Sequence, residues 1–338
     1  MVDVAADLSS FSFETGLTED EEKLLYLRGR AAGLAFCGCA HALYLCKLIR
    51  SLRRVLRSPT AQTDSVASGD LCVGILGLGH MGKQLLLSLL EMTDIKPSHI
   101  KVSTRRPETA AEFVQTGVEC FFDNRRLATW ADVLFLCCLP SHLPKVGGDL
   151  HCRLSKHCLV YSVTSAVPVT RLAELLGHNF IIKPQYEVVG GDTADLWLSC
   201  TDLSAALKDS LLIEASCPLT MSGAITLSPN WVCAVLYSLL NICTSASLPS
   251  SDALSLINGL FKEKWTHTVQ LNAQSFISSA YASSLRGDEP FPWISLTDAQ
   301  TKETPLLRFL SSNKSVQQCI SVAYKSLLET PVSLDSSL

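Results

Sequence analysis

Three glycines in the stretch LCVGILGLGHMGKQLLLSLL, Leu71 to Leu90, carry the first chemical expectation. Gly77, Gly79 and Gly82 form G-x-G-x-x-G between a six-residue apolar run and an apolar helical pattern. In that context each glycine has a physical task. Gly77 permits a tight turn, Gly79 lets the backbone approach a pyrophosphate, and Gly82 lets helix and strand pack closely. The helix that follows presents free amides and the positive end of its dipole to the phosphates. Leu78, His80 and Met81 complete the loop. The expected chemistry is dinucleotide binding.

The second apolar run decides which dinucleotide. An acid at its tip, roughly 20 residues beyond the glycines, would hold the ribose hydroxyls of NAD. The run instead ends KVSTRRPE, with Ser103, Thr104, Arg105 and Arg106 at the tip. Paired guanidinium forks beside hydroxyls suit a 2′-phosphate, so NADP is the expected cofactor. Ligands of parallel sheets bind at the C-terminal ends of the strands. That rule brings forward Ser141 and His142 after the fourth strand, Thr164 and Ser165 after the fifth, and Lys183 and Tyr186 after the sixth. His142 is a candidate proton donor.

The surrounding elements must position these groups. Six apolar runs read as strands: Leu71–Leu76, Ile100–Thr104, Val118–Phe122, Asp132–Cys138, Cys158–Val163 and Phe180–Lys183. Amphipathic stretches separate them, which predicts a doubly wound parallel sheet of α/β class, Rossmann-type, over residues 71–185. Residues 190–330 read as a mainly helical substrate or dimerisation domain. Residues 1–57 form an extra helical segment, opened by a capping box at Thr18 and Glu21. A Ser/Thr/Pro/Gly-rich linker spans 58–70. The run Ala31–Cys46 lacks charge but is short of the ~20 apolar residues of a membrane span. A helix packed on the other domains or on a partner subunit is expected instead. Arg50, Arg53, Arg54 and Arg57 share one helical face, expected to be solvated.

The chain has 338 residues, 47 % apolar and 18 % charged, with net charge −4. This favours a globular protein and offers nothing to a nucleic acid. Fourteen cysteines sit largely in apolar runs, and the acidic N-terminal stretch carries no signal-peptide pattern, so a reducing, cytoplasmic setting is expected. Two clusters, Cys37/Cys39/His41/Cys46 and His151/Cys152/His157/Cys158, match no standard zinc spacing, and no metal site is expected.

The segments VGILGLGHMGKQLL, STRRPE, ADVLFLCCLP and LVYSVTSAVPVTRLAELL resemble, in order and spacing, the N-terminal domain of the pyrroline-5-carboxylate reductases. The resemblance covers residues 71–183. It implies reduction of a cyclic imine acid by a nicotinamide cofactor, and a homodimer through the C-terminal helices. It also places Cys138, Leu139 and Pro140 at a turn beside the nicotinamide, where that family has a lysine that this chain lacks. Lys183 stands at a family arginine. Ser228, Pro229, Asn230 and Trp231 loosely replace a Gly-Ser-Gly-Pro-Ala-Tyr-like turn. The family's late glycine- and threonine-rich substrate loop has no counterpart. GLGHMG also resembles the loop of the β-hydroxyacid dehydrogenases, but their catalytic lysine is missing from SGAITLSPNWVCAVLY.

Imine reduction asks mainly for geometry, since a protonated C=N accepts hydride directly. His142, Lys183 and Asn230 are the expected catalytic residues. The alternative is a non-catalytic NADPH-binding protein that has lost its substrate site.

Overall fold

The computed structural model describes residues 18–22, 24–57, 70–189, 194–200, 202–220, 223–261 and 270–330. Residues 58–69 of the expected linker lie outside them. Strands β1 (Val73–Leu76), β4 (Val133–Leu136) and β5 (Leu159–Ser162) are buried at every position. Strands without a polar face need cover on both sides, which parallel pairing with crossover helices supplies. With β2 (Ile100–Ser103), β3 (Glu119–Phe121) and β6 (Ile181–Ile182) they form one parallel sheet, ordered β3-β2-β1-β4-β5-β6. The order reverses between β1 and β4, where a crevice opens at the C-terminal ends. All six predicted strands are present, each shortened at its ends. The trimmed residues, such as Cys137 and Thr104, turn away from the ladder into the connecting loops.

Helices α5 (Asn124–Trp130), α6 (Leu143–Leu150) and α7 (Val169–Leu176) bury Leu134, Leu136, Val160 and Ile181 on one face. The other face, with Val73, Ile75, Phe135 and Tyr161, lies under α2 (Leu25–Leu56), α3 (His80–Met92) and α4 (Ala111–Gln115). A short ribbon follows, β7 (Tyr186–Val188) antiparallel to β8 (Ile225–Leu227). Three-residue strands are too short to show a period in the sequence.

The rest is helical: α8 (Ala194–Leu198), α9 (Leu203–Ala206), α10 (Ser210–Ala215), α11 (Pro229–Ser245), α12 (Ser250–Leu260), α13 (Ala273–Phe276), α14 (Ser279–Ser284), α15 (Leu296–Thr301), α16 (Pro305–Ser312) and α17 (Lys314–Glu329). Ser228 caps α11 by accepting the Asn230 N–H at 3.3 Å, and Pro229 occupies its first turn.

The N-terminal segment begins with the expected capping box before α1 (Glu19–Glu22). Thr18 N–H donates to the Glu21 carboxylate at 2.8 Å, and Glu21 N–H to Thr18 Oγ1 at 3.3 Å. By length and composition, Glu19–Leu56 would suffice to cross a membrane among the described residues. Its apolar surface is instead part of the core, with Phe36, Leu43, Leu45 and Leu52 fully buried. Of the arginines expected as a solvated face, Arg54 and Arg57 are exposed, and all four approach carboxylates. Arg53 Nη1 lies 2.7 Å from Asp132 Oδ2, and Arg57 Nη1 3.0 Å from Asp70 Oδ1. Arg50 and Arg54 each approach Asp94 Oδ2 at 3.5 Å. Helical periodicity places the arginines together, but only the fold brings three distant aspartates to the base of the sheet to meet them.

Cys37, Cys39 and Cys46 on α2 are buried thiols, and desolvation pushes Cys39 and Cys46 up to about 12. His41 beside them is 1 % exposed and fully bonded: Nε2 donates to Ser216 O at 2.9 Å, so Nδ1 of the neutral ring accepts from the Tyr186 hydroxyl at 2.8 Å. Burial pulls its pKa down to about 4. The folded state therefore binds fewer protons than the unfolded state between about pH 4 and 6.5, and stability falls as pH drops through that window. Between pH 7.5 and pH 5 His41 should remove about 2 kcal/mol. Urea titrations should show His41→Gln losing less stability than wild type over that interval; parallel losses would refute the assignment.

Candidate functional site

The glycine loop sits at the reversal point of the sheet. Gly77 has φ +100°, and a Cβ there would lie 2.9 Å from the carbonyl oxygen of Cys137. The loops leaving β1 and β4 are therefore in backbone contact, and a side chain would part them. A Cβ on Gly82 would lie 2.0 Å from the Gly77 carbonyl oxygen. Only glycine allows α3 to start this close to the loop. A Cβ on Gly79 would meet nothing within 4 Å, so this backbone faces open space. The three glycines thus divide into two that the fold itself requires and one that leaves room for a ligand.

Gly79 is the N-cap of α3 and offers no side chain to its amides. The amides of His80, Met81 and Gly82 precede the first helical hydrogen bond, from Lys83 N–H to Gly79 O at 2.9 Å. No acid lies in the first turn. These are the properties of an anion cradle. Its uncapped amides, the open approach at Gly79 and the distant basic tip of β2 together fit a dinucleotide carrying an extra phosphate.

At that tip, Arg105 and Arg106 are exposed, and Thr104 is half-buried with its amide bonded to Phe121 O at 2.8 Å. Ser103 is already bonded within the fold. Its side chain is buried and its hydroxyl donates to Asn124 Oδ1 at 2.8 Å, tying β2 to α5. As the last residue of β2 it points to the face of the sheet that α5 covers, one position before the chain leaves the ladder. Asn124 in turn donates to Asp149 at 2.9 Å.

After β4, Cys138 is half-buried while Leu139 is 63 % exposed and Pro140 opens a turn leading to α6. His142 is half-buried at the N-cap of α6. Thr164 is buried beside β5, its amide donating to Ser162 Oγ at 3.2 Å and its hydroxyl accepting from the same oxygen at 3.1 Å.

Lys183 and Asn230, more than 40 positions apart in the chain, meet in one cleft of about 170 Å³ with Thr170, Gln185, Ser228, Trp231 and Gln300. His142 is outside it. Gln300 on α15 organises this cleft. Its Nε2 donates to Ile181 O at 2.7 Å, and its Oε1 accepts the Lys183 amide at 2.9 Å. In effect it continues the hydrogen-bond ladder of the edge strand β6. Asn230 Nδ2 donates to the Gln300 carbonyl at 3.0 Å, which fixes the start of α11 against α15. Gln300 carried no signal in the sequence, because its role depends on α15 docking against the sheet edge.

One group in the cleft lacks a charge partner among the described residues. Burial lowers the pKa of the half-buried Lys183 ammonium, and no carboxylate among the described residues pairs with it. Trp231 backs the cleft and turns into the core, 1 % exposed with its ring 4.9 Å from that of His41. A desolvated cation favours a ligand that brings acceptor oxygens.

The chain is similar to several known proteins. The family model described as NADP oxidoreductase, coenzyme F420-dependent, matches residues 72–166, which hold the glycine loop and strands β1 to β5. The Escherichia coli pyrroline-5-carboxylate reductase is 32 % identical over 108 residues, 32 % of this chain and 40 % of that one. A solved pyrroline-5-carboxylate reductase from Coxiella burnetii aligns over 76 % of this chain and 96 % of that one, at 18 % identity and a TM-score of 0.32. The mouse NADP-dependent oxidoreductase domain-containing protein 1 is 39 % identical over 340 residues, 96 % of this chain and 93 % of that one. On that similarity, which runs nearly end to end in both proteins, the chain belongs to the family of NADP-dependent oxidoreductase domain-containing protein 1.

Proposed function

We propose that the protein is an NADP-dependent oxidoreductase that reduces a small cyclic imine acid or a related carbonyl acid. The observation that carries this reading is the glycine loop: Gly77 and Gly82 are locked by backbone contacts, while Gly79 faces open space beneath an uncapped helix end. When bound there, the reduced nicotinamide supplies two electrons and a proton to an electrophilic carbon. The protein's own residues bind and orient. The α3 amides hold the pyrophosphate, and Arg105 and Arg106 hold the 2′-phosphate. Lys183 takes the substrate carboxylate, which restores to its ammonium the charge partner that burial has denied it. Gln300 keeps Lys183 in place. No acid–base pair is needed when the imine arrives protonated; with a carbonyl acid, the alkoxide left by hydride transfer would take its proton from water.

Replacing Arg105 and Arg106 together by alanine should weaken NADPH binding far more than NADH binding, since each charged hydrogen bond to phosphate contributes about 1.5–3 kcal/mol. Fluorescence titration with both cofactors measures this. Equal losses for the two would remove the arginines from the phosphate site.

Lys183→Met keeps the aliphatic stem and removes the charge. NADPH binding should persist while kcat/KM falls about thirtyfold, from one charged hydrogen bond of about 2 kcal/mol. Steady-state assays with pyrroline-5-carboxylate, followed by NADPH absorbance, test it. Unchanged kcat/KM in the variant would take Lys183 out of the site and leave the reductase reading standing.

A further inference from the structure

At the base of the sheet, opposite the crevice, a cleft of about 160 Å³ opens between α2, the turn after α3 and the end of α17. Its walls carry Lys47, Arg50 and Arg54, the hydroxyls of Ser51, Thr93 and Thr330, and a single carboxylate, Asp94. The charge count is three cations to one anion. Asp94 is shared at 3.5 Å by both guanidiniums, a separation that leaves neither well satisfied. Arg50 Nη1 is buried and has no hydrogen-bond partner. The neighbouring arginines form closer ion pairs, although Arg53 Nε, like Arg50 Nη1, is buried without a hydrogen-bond partner. Arg53 is taken by Asp132 at 2.7 Å and Arg57 by Asp70 at 3.0 Å. If the row served only to fasten α2, Arg50 and Arg54 would be expected to pair as closely as Arg53 does. Lys47 Nζ donates to the Leu327 carbonyl at 2.8 Å and the Thr330 carbonyl at 3.3 Å, which sets its charge at the wall of the cleft.

We propose that this cleft is a second anion site, which takes a phosphoryl group on Arg50, Arg54 and Lys47. The donors form an arc on one helix: Lys47, Arg50 and Arg54 are three and four residues apart and so share a face. A phosphoryl group offers the several acceptor oxygens that two forks and an ammonium can share, and the volume excludes anything much larger from full burial. The same chemistry is found on a free phosphorylated metabolite and on a phosphomonoester lipid headgroup.

The test uses the full chain and two variants. Arg54 is 68 % exposed, so Arg54→Ala removes a donor without opening the core. Asp94→Asn removes the competing charge. Thermal stabilisation by inorganic phosphate, against sodium chloride at equal ionic strength, gives the affinity. Sedimentation with phosphatidylcholine vesicles containing phosphatidic acid tests the headgroup. Arg54→Ala should weaken binding about tenfold, and Asp94→Asn should strengthen it about fivefold. Phosphate held at the glycine loop would be indifferent to both substitutions. An aspartate that only fastens α2 would lower stability when replaced, with no gain in affinity. Arg54-dependent stabilisation by phosphate supports a free ligand, and Arg54-dependent retention on vesicles alone supports a headgroup. An equal response in all three proteins, or no response to phosphate or vesicles in wild type, overturns the proposal.

Discussion

Gly79→Asp is expected to leave the apoprotein folded and to abolish NADPH binding. A Cβ at this position meets nothing within 4 Å, so the fold has no reason to reject the side chain. The same open space is where a pyrophosphate would approach the uncapped amides of α3. An aspartate carboxylate there would occupy the space and repel the phosphate charge. At an effective dielectric of about 20, two charges some 5 Å apart repel by about 3 kcal/mol, which implies a loss of affinity of at least about a hundredfold. Thermal unfolding with and without NADPH measures both halves of the expectation. The variant should melt near the wild-type apoprotein and gain nothing from cofactor. A variant stabilised by NADPH as strongly as wild type would show that the loop does not hold phosphates.

Gly82→Ala should behave in the opposite way. One methyl group placed 2.0 Å from the Gly77 carbonyl oxygen cannot be absorbed by rotating a side chain, because the obstacle is backbone. Either α3 moves outward or the loop shifts, and Gly77 is itself held against Cys137. Overpacking of this kind costs about 3 kcal/mol or more. The apoprotein should unfold at clearly lower urea concentration with an unchanged slope. Gly79→Ala serves as the contrast and should keep near-wild-type apoprotein stability. If Gly82→Ala were as stable as Gly79→Ala, the close packing of α3 on the loop would be refuted.

These two positions also show how far the sequence could be read. The G-x-G-x-x-G spacing and its strand-to-helix context are local, and local patterns survive without the fold. For the same reason the parallel sheet was legible from its buried apolar runs, and the helix start at Thr18 from its capping box. Contacts between distant segments were not legible. Ser103 shares its short stretch with Arg105 and Arg106, but strand alternation turns its side chain inward to Asn124. The arginine row on α2 looked solvated because its aspartates lie 13 to about 80 residues away in the chain. Gln300 is one polar residue in an ordinary helix until α15 docks and places it on the edge of β6. Lys183 and Asn230 stand out in the sequence for separate reasons, and the cleft they share depends on that same docking.

The most direct measurement of the central claim is NADPH oxidation by the wild-type protein in the presence of pyrroline-5-carboxylate and related cyclic imine and keto acids. The account predicts substrate-dependent loss of NADPH absorbance with at least one of these acids, abolished by Gly79→Asp. Tight NADPH binding with no turnover of any acid tested would contradict it and identify the protein as a non-catalytic NADPH binder.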